Sequence, residues 1–136
     1  MKKVKTKSYD IPYILDACKI LEKDPGRQLT ITALALEVGI NCSKLCKGFK
    51  DVFRQTIHQY RLDIRLKLAL QLLEETDLTI AEIAYKTGFD SRDGFARCFR
   101  RKYHLSPREW RKEREMSPVE GEDYTSLMML DAVVLN

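Results

Sequence analysis

The sequence has no long hydrophobic stretch: no uninterrupted apolar run exceeds four residues, as at residues 127–130, against the roughly 18 or more that a membrane-spanning helix requires. A bilayer-spanning helix is excluded, and no membrane is expected among the partners. A secretory leader is not read either. The start is rich in lysine (Lys2, Lys3, Lys5, Lys7), but Asp10, Asp16 and Lys19 interrupt what would have to be its apolar core, so the cytoplasm is the expected compartment. The four cysteines, Cys18, Cys42, Cys46 and Cys98, form no CxxC pair, which argues against a disulfide framework and against a zinc knuckle. With only two histidines, His58 and His104, and no acidic or cysteine partners at metal spacing, no metal and no cofactor is expected. Catalytic signatures are missing as well. There is no Ser/His/Asp set, paired-carboxylate motif or phosphate-cradling glycine loop, and an enzyme is not expected.

What is present is charge and helical spacing. The 136 residues carry a net charge of +4, unevenly spread. Residues 1–114 hold all 24 Lys and Arg against 15 Asp and Glu, a net +9, while residues 115–136 carry five acidic residues and no basic one. A basic body of that kind attracts polyanions, of which nucleic acid is the commonest in the cytosol. Ile11, Ile14, Leu15 and Cys18 share one helical face, opened by Asp10 as N-cap and closed by Asp24, Pro25 and Gly26. From Ile57 to Leu73 the apolar residues surround most of the helix, with Tyr60, Leu62, Ile64, Leu66, Leu68, Ala69, Leu70 and Leu72 between. A helix so broadly apolar is expected to be central. Its 17 residues would span about 25 Å, enough to hold two small subdomains apart. Residues 29–31 and 78–80 are β-prone, yet each passes through Thr30 or Thr79, an N-cap, into a helical pattern. No strand is expected.

Those two triplets open an internal repeat. Leu29, Thr30, Ile31, Leu34, Ala35 and Gly39 recur as Leu78, Thr79, Ile80, Ile83, Ala84 and Gly88, at an offset of 49. One residue is then added, and Leu45, Phe49 and Phe53 match Phe95, Phe99 and Tyr103 at an offset of 50. Each copy is a short helix, a glycine turn and a second helix with apolar residues at i, i+4 and i+8: a helix-turn-helix. Ala35 and Ala84 let the two helices cross closely, and Gly39 and Gly88 supply left-handed backbone in the turn. With Leu45, Phe49, Val52 and Phe53 facing inward, Ser43, Lys44, Cys46, Lys47 and Lys50 are left outside. In the second copy Phe95, Phe99 and Tyr103 face inward, leaving Arg92, Asp93, Ala96, Arg97, Arg100 and Arg101 outside. A single basic helix is as often a solvated surface as an interface, but two in matched repeats favour the interface. Such a helix enters the major groove of DNA, where residues near its N-terminus reach base edges.

Over residues 11–114 the chain resembles the DNA-binding domain of the AraC/XylS family of bacterial transcription regulators. The resemblance is carried by LTITALALEVGI, by RLDIRLKLALQLLEE, by LTIAEIAYKTGFDSRDGFARCFRRKY with its IAxxxGF and FxRxFR spacing, and by LSPREWRK with SPxxWR. It implies an all-α, homeodomain-like fold of about seven helices. The expected layout is a basic arm at 1–10, a first helix-turn-helix subdomain at 11–56, a linker helix at 57–74, a second subdomain at 75–114 and an acidic tail at 115–136. It also implies sequence-specific binding of promoter DNA in adjacent major-groove segments, and contact with RNA polymerase. Carried over residue by residue, the first reading helix offers Ser43, Cys46 and Lys47, with Lys50 toward phosphate, and the second offers Arg92, Asp93, Arg97 and Arg100. Arg97 is the principal reader, since arginine binds guanine O6 and N7 in bidentate fashion. Asp93, four residues earlier, either accepts from a cytosine amino group or pins Arg97, and pinning is the favoured role. Trp110 is expected to pack on the second subdomain.

Departures from the family pattern are equally definite. Arg54 and His104 stand where glycine often ends each reading helix, so these ends are expected to turn differently. Cys42 and Cys46 lie one turn apart, the spacing of a redox pair, with only neighbouring lysines to lower their pKa. No ligand pocket is legible. The chain is either a stand-alone, monomeric regulator, toward which the opening Met1 leans, or the DNA-binding end of a longer one. An adaptor that binds protein rather than DNA is the competing reading; the arginine cluster of the second copy weighs against it.

Overall fold

The computed structural model describes Lys7 and residues 10–116, with Met116 by its backbone alone. Among the described residues there are seven helices and no strand: α1 (Ile11–Lys23), α2 (Ile31–Val38), α3 (Cys42–Phe53), α4 (Ile57–Glu75), α5 (Ile80–Lys86), α6 (Arg92–Tyr103) and α7 (Pro107–Met116). None of them is long and apolar enough to cross a membrane. The chain divides into two compact units, Met1–Arg65 and Leu66–Asn136, with the division inside α4. The basic arm, apart from Lys7 and Asp10, and the acidic tail beyond residue 116 lie outside the described residues.

In the first unit α1, α2 and α3 pack around Ile14, Ala17, Leu21, Leu34, Ala35, Leu45 and Phe49, joined by Ile57 from the start of α4. Leu15, expected on the inner face of α1, is 43% exposed. Its place is taken by Ala17, which keeps the i, i+3, i+4, i+7 stripe through Ile14, Cys18 and Leu21. Asp10 stands at the N-cap of α1 but makes no side-chain cap; its backbone is already helical, so the carboxylate is not presented to the first amides. Across the unit, the Cys18 thiol donates to the Tyr60 hydroxyl at 3.1 Å, and that hydroxyl donates to the Glu22 carboxylate. Burial foremost pushes both Cys18 and Tyr60 up from their ordinary pKa values, which keeps each protonated to donate.

The second unit repeats this plan. Ile83, Ala84, Phe95, Phe99 and Tyr103 are buried where Leu34, Ala35, Leu45, Phe49 and Phe53 stand in the first, Phe53 itself being only half-buried. Trp110 is fully buried, with its ring centroid 6.2 Å from Phe99 and 6.0 Å from Tyr103. Gly39 and Gly88 take φ of 89° and 90°, the left-handed turn a side chain would strain.

The repeat also runs further than the two-helix motif, at the same offset of 50. Thr56 and Gln59 form a reciprocal capping box at the start of α4, and Ser106 and Glu109 form one at the start of α7. Arg61 then donates to the Leu29 carbonyl at 2.6 Å and to the Arg27 carbonyl, while Arg111 donates to the carbonyls of Leu78 and Thr76. In both units a guanidinium fork thus satisfies orphan carbonyls just ahead of the N-cap threonine, a task that suits Arg's fixed, planar set of donors. A third capping box, Thr79 with Glu82, opens α5. The backbone amides of Thr79 and Ser106 hold the Glu82 and Glu109 carboxyls below their usual range. Their stabilisation is therefore present above the unfolded carboxylate pKa of about 4.3 and is lost as pH falls below it.

Arg54 and His104 overturn one expectation. Both α3 and α6 end in the left-handed turn despite the missing glycine, with φ of 62° and 71°, and each residue's amide donates to the carbonyl four residues earlier, of Lys50 or Arg100. The backbone hydrogen bond and the packing on either side impose a conformation that costs a non-glycine residue roughly 1 kcal/mol. His104→Gly is accordingly expected to raise stability by up to about 1 kcal/mol, read as a higher urea midpoint at unchanged slope. An unchanged or lowered midpoint would show that the imidazole contributes something the turn needs.

Candidate nucleic-acid interface

Each of α3 and α6 starts from a side-chain cap. The Asn41 carboxamide oxygen accepts from the Lys44 amide at 2.8 Å, and the Ser91 hydroxyl accepts from the Gly94 amide at 3.0 Å. Asn41 and Ser91 occupy equivalent places in the two copies, one residue out of the first offset because Asp90 is the inserted residue. The caps set where each helix begins and hence which side chains its first turns display.

On α3, Leu45, Gly48 and Phe49 are buried, whereas Ser43, Lys44, Cys46, Lys47 and Lys50 are all exposed. Val52 and Phe53, expected inward, are half-buried. On α6, Phe95, Phe99 and Tyr103 are buried, whereas Arg92, Asp93, Arg97, Arg100 and Arg101 are exposed and Ala96 is half-buried. Within each unit the candidate residues therefore share the outward face of one helix, at the spacing that puts residues 43, 46, 47 and 50, or 93, 97 and 100, on successive turns. None of Arg92, Arg97, Arg100 and Arg101 forms an ion pair among the described residues. Asp93 and Arg97 likewise make no ion pair with each other among the described residues, so the structure does not show the favoured pinning. Each arginine keeps its five donors for an outside acceptor.

Gly94 follows the cap closely: a Cβ built there would lie 3.1 Å from the Ser91 Oγ. A larger residue would push against the capping hydroxyl and so against the first turn of α6.

Burial foremost, then Cys42, pushes the Cys46 thiol above its ordinary pKa, the reverse of what a redox-sensing thiolate requires. Cys42 is half-buried, with its sulfur 3.8 Å from the Thr32 hydroxyl. His58 is exposed near the start of α4, and His104 serves through its backbone as a cap.

The signals that the sequence reading passed over were the caps Asn41 and Ser91 and the arginines Arg61 and Arg111. All four follow from carrying the repeat past the inserted Asp90 and on to residue 111.

A family model described as a helix-turn-helix domain matches residues 34–113. The HTH-type transcriptional regulator AlkR of Acinetobacter baylyi is 30% identical over 102 residues, which are 75% of this chain and 33% of that protein. The chain thus spans about a third of the length of such curated relatives. Among solved structures, a transcriptional regulator from Chromobacterium violaceum with an AraC-type DNA-binding domain aligns with a TM-score of 0.70 at 27% identity, covering 82% of this chain and 99% of that one. The DNA-binding domain of AdpA, solved in complex with a target DNA, aligns with a TM-score of 0.74 at 20% identity, covering 79% of this chain and 96% of that one, a likeness of fold.

Proposed function

Because the chain belongs to the AraC-type helix-turn-helix family of DNA-binding transcription regulators, we propose that it reads duplex promoter DNA with α3 and α6 in adjacent major-groove segments. The observation that carries the proposal is the repetition itself. In each unit a capped helix of 12 residues buries one apolar stripe and leaves a basic face exposed. One basic helix is an ordinary solvated surface; the same face built twice on the same scaffold is a recognition surface.

Arg97 is the main base reader, with Arg92 beside it, and Lys50 and Arg100 hold phosphate. Ser43, Cys46 and Lys47 read from α3, where the short side chains of Ser43 and Cys46 limit how much sequence that helix distinguishes or bring it closer to the groove floor. Asp93 accepts from a cytosine amino group or orients Arg97. The working species is a monomer, since two reading helices in one chain need no second copy. Contact with RNA polymerase completes the proposal. Its support is a pair of outward apolar side chains at equivalent positions, Leu36 on α2 and Tyr85 on α5, 77% and 83% exposed, where burial against a partner protein would be rewarded.

Binding to a site and to its single-base variants tests the assignment. Arg97→Ala is expected to lose about 1 to 3 kcal/mol of discrimination at one base pair, while Lys50→Ala weakens all sequences about equally, because base contacts specify and phosphate contacts position. If Arg97→Ala lowered affinity without altering preference at any base pair, it would not be a reader. Inserting five base pairs between the two segments turns one of them to the opposite face of the duplex, and binding is expected to fall toward the non-specific level.

A further inference from the structure

The outward face of α6 carries Arg92, Arg97, Arg100 and Arg101 against one carboxylate of its own, Asp93, and one from α7, Glu109, whose charge acts on Arg100; none of the four arginines forms an ion pair among the described residues. A cluster of unpaired like charges is a local maximum of positive potential. The chain contains its complement. Beyond α7, residues 117–136 contain Glu120, Glu122, Asp123 and Asp131 and not one Lys or Arg, so every charged side chain in those 20 residues is acidic. That stretch starts from the end of α7, which packs on α6 through Trp110 against Phe99 and Tyr103.

Resting on the reading of α6 as a DNA-binding helix, we propose that the acidic residues of this segment, chiefly Glu120, Glu122 and Asp123, pair with the arginine face of α6 in the DNA-free protein and yield it to duplex DNA. Distance is no obstacle. At about 3.3 Å per residue the segment reaches up to roughly 65 Å, whereas α6 with its 12 residues is about 18 Å long. A tethered segment faces its target at an effective concentration in the millimolar range, which lets pairs that are individually weak be populated. Three carboxylates cannot match a duplex, which presents one phosphate per about 1.7 Å of axis. The segment therefore displaces weakly held, non-specific DNA more than a site secured by base contacts, and so raises selectivity rather than abolishing binding.

The test uses the full chain and a variant carrying Glu120→Gln, Glu122→Gln and Asp123→Asn, all outside the described residues. In the absence of DNA, NMR signals of the Arg92, Arg97, Arg100 and Arg101 guanidinium groups are expected to differ between the two proteins at 50 mM salt, to converge at high salt, and to be independent of protein concentration. The variant is expected to bind a random-sequence duplex about tenfold more tightly at 50 mM salt, with the gain shrinking at 200 mM. Identical arginine signals in the two DNA-free proteins would overturn the proposal. So would differences that vanish on dilution, which would place the segment on a second copy. The NMR comparison needs no DNA, so it decides this contact even if neither protein binds a duplex, an outcome that would refute the DNA-binding reading instead.

Discussion

Raising salt from 50 to 200 mM is expected to weaken binding to duplex DNA by roughly 10³- to 10⁵-fold. The argument begins with charge: residues 1–114 carry a net +9, and the exposed faces of α3 and α6 hold Lys44, Lys47, Lys50, Arg92, Arg97, Arg100 and Arg101. If about 6 to 10 phosphates are neutralised, a similar number of condensed counterions is released, and the logarithm of the association constant falls with the logarithm of salt at a slope of about −0.9 per phosphate. Screening alone would act far more gently, because the groups concerned are in contact rather than a Debye length apart. The measurement is a titration at four or five salt concentrations on one duplex. A constant affinity across that range would mean that phosphates are not neutralised, and the basic faces would be solvated surface after all.

Trp110→Ala is expected to cost about 3 to 5 kcal/mol in the second unit. The side chain is fully buried, and its ring meets Phe99 at 79° and Tyr103 at 49°, at centroid distances of 6.2 and 6.0 Å. Phe99 and Tyr103 are the inward residues of α6, so the cavity left by the indole opens directly beneath the helix that carries Arg97 and Arg100. A small unit with an ordinary stability of 5 to 15 kcal/mol would lose a large part of it. Trp110 is the one tryptophan of the chain, so its fluorescence follows the second unit during urea unfolding of the parent protein, and far-UV circular dichroism follows the variant. Trp110→Phe, which keeps a ring in place, should cost markedly less than the alanine. Equal stabilities for parent and alanine variant would mean that the ring stack is not what holds α6.

The parts of this architecture that were legible in the sequence are those set by periodicity. The offset of 49 locates α2 and α5, the change to 50 locates α3 and α6, and the leucine-rich stretch from Ile57 predicts α4, which runs on through Glu75. Gly39 and Gly88 were readable as left-handed turns because a side chain is costly there. The converse inference failed at Arg54 and His104: absence of glycine does not forbid the conformation when tertiary packing and a backbone hydrogen bond enforce it. Leu15 was misplaced for a related reason. Its size suggested the core, but in α1 the buried stripe runs through the small Ala17 instead. Carrying the repeat to residue 111 marks Arg61 and Arg111 as equivalent, but not what they bind, because their acceptors are backbone carbonyls more than thirty residues away. For the candidate interface, subtracting the apolar stripe sufficed to find which side chains point outward. It could not show whether Asp93 pins Arg97, since an i, i+4 spacing permits the pair without requiring it.

The most direct measurement is selection of bound sequences from a pool of random duplex DNA, followed by footprinting on the enriched site. The proposed reading by α3 and α6, which follow one another in one chain, predicts an asymmetric site of two short segments centred about 10 base pairs apart, both facing the same side of the duplex. Failure to enrich any sequence would contradict sequence-specific recognition, and enrichment of a palindrome would contradict a monomer that reads with both α3 and α6.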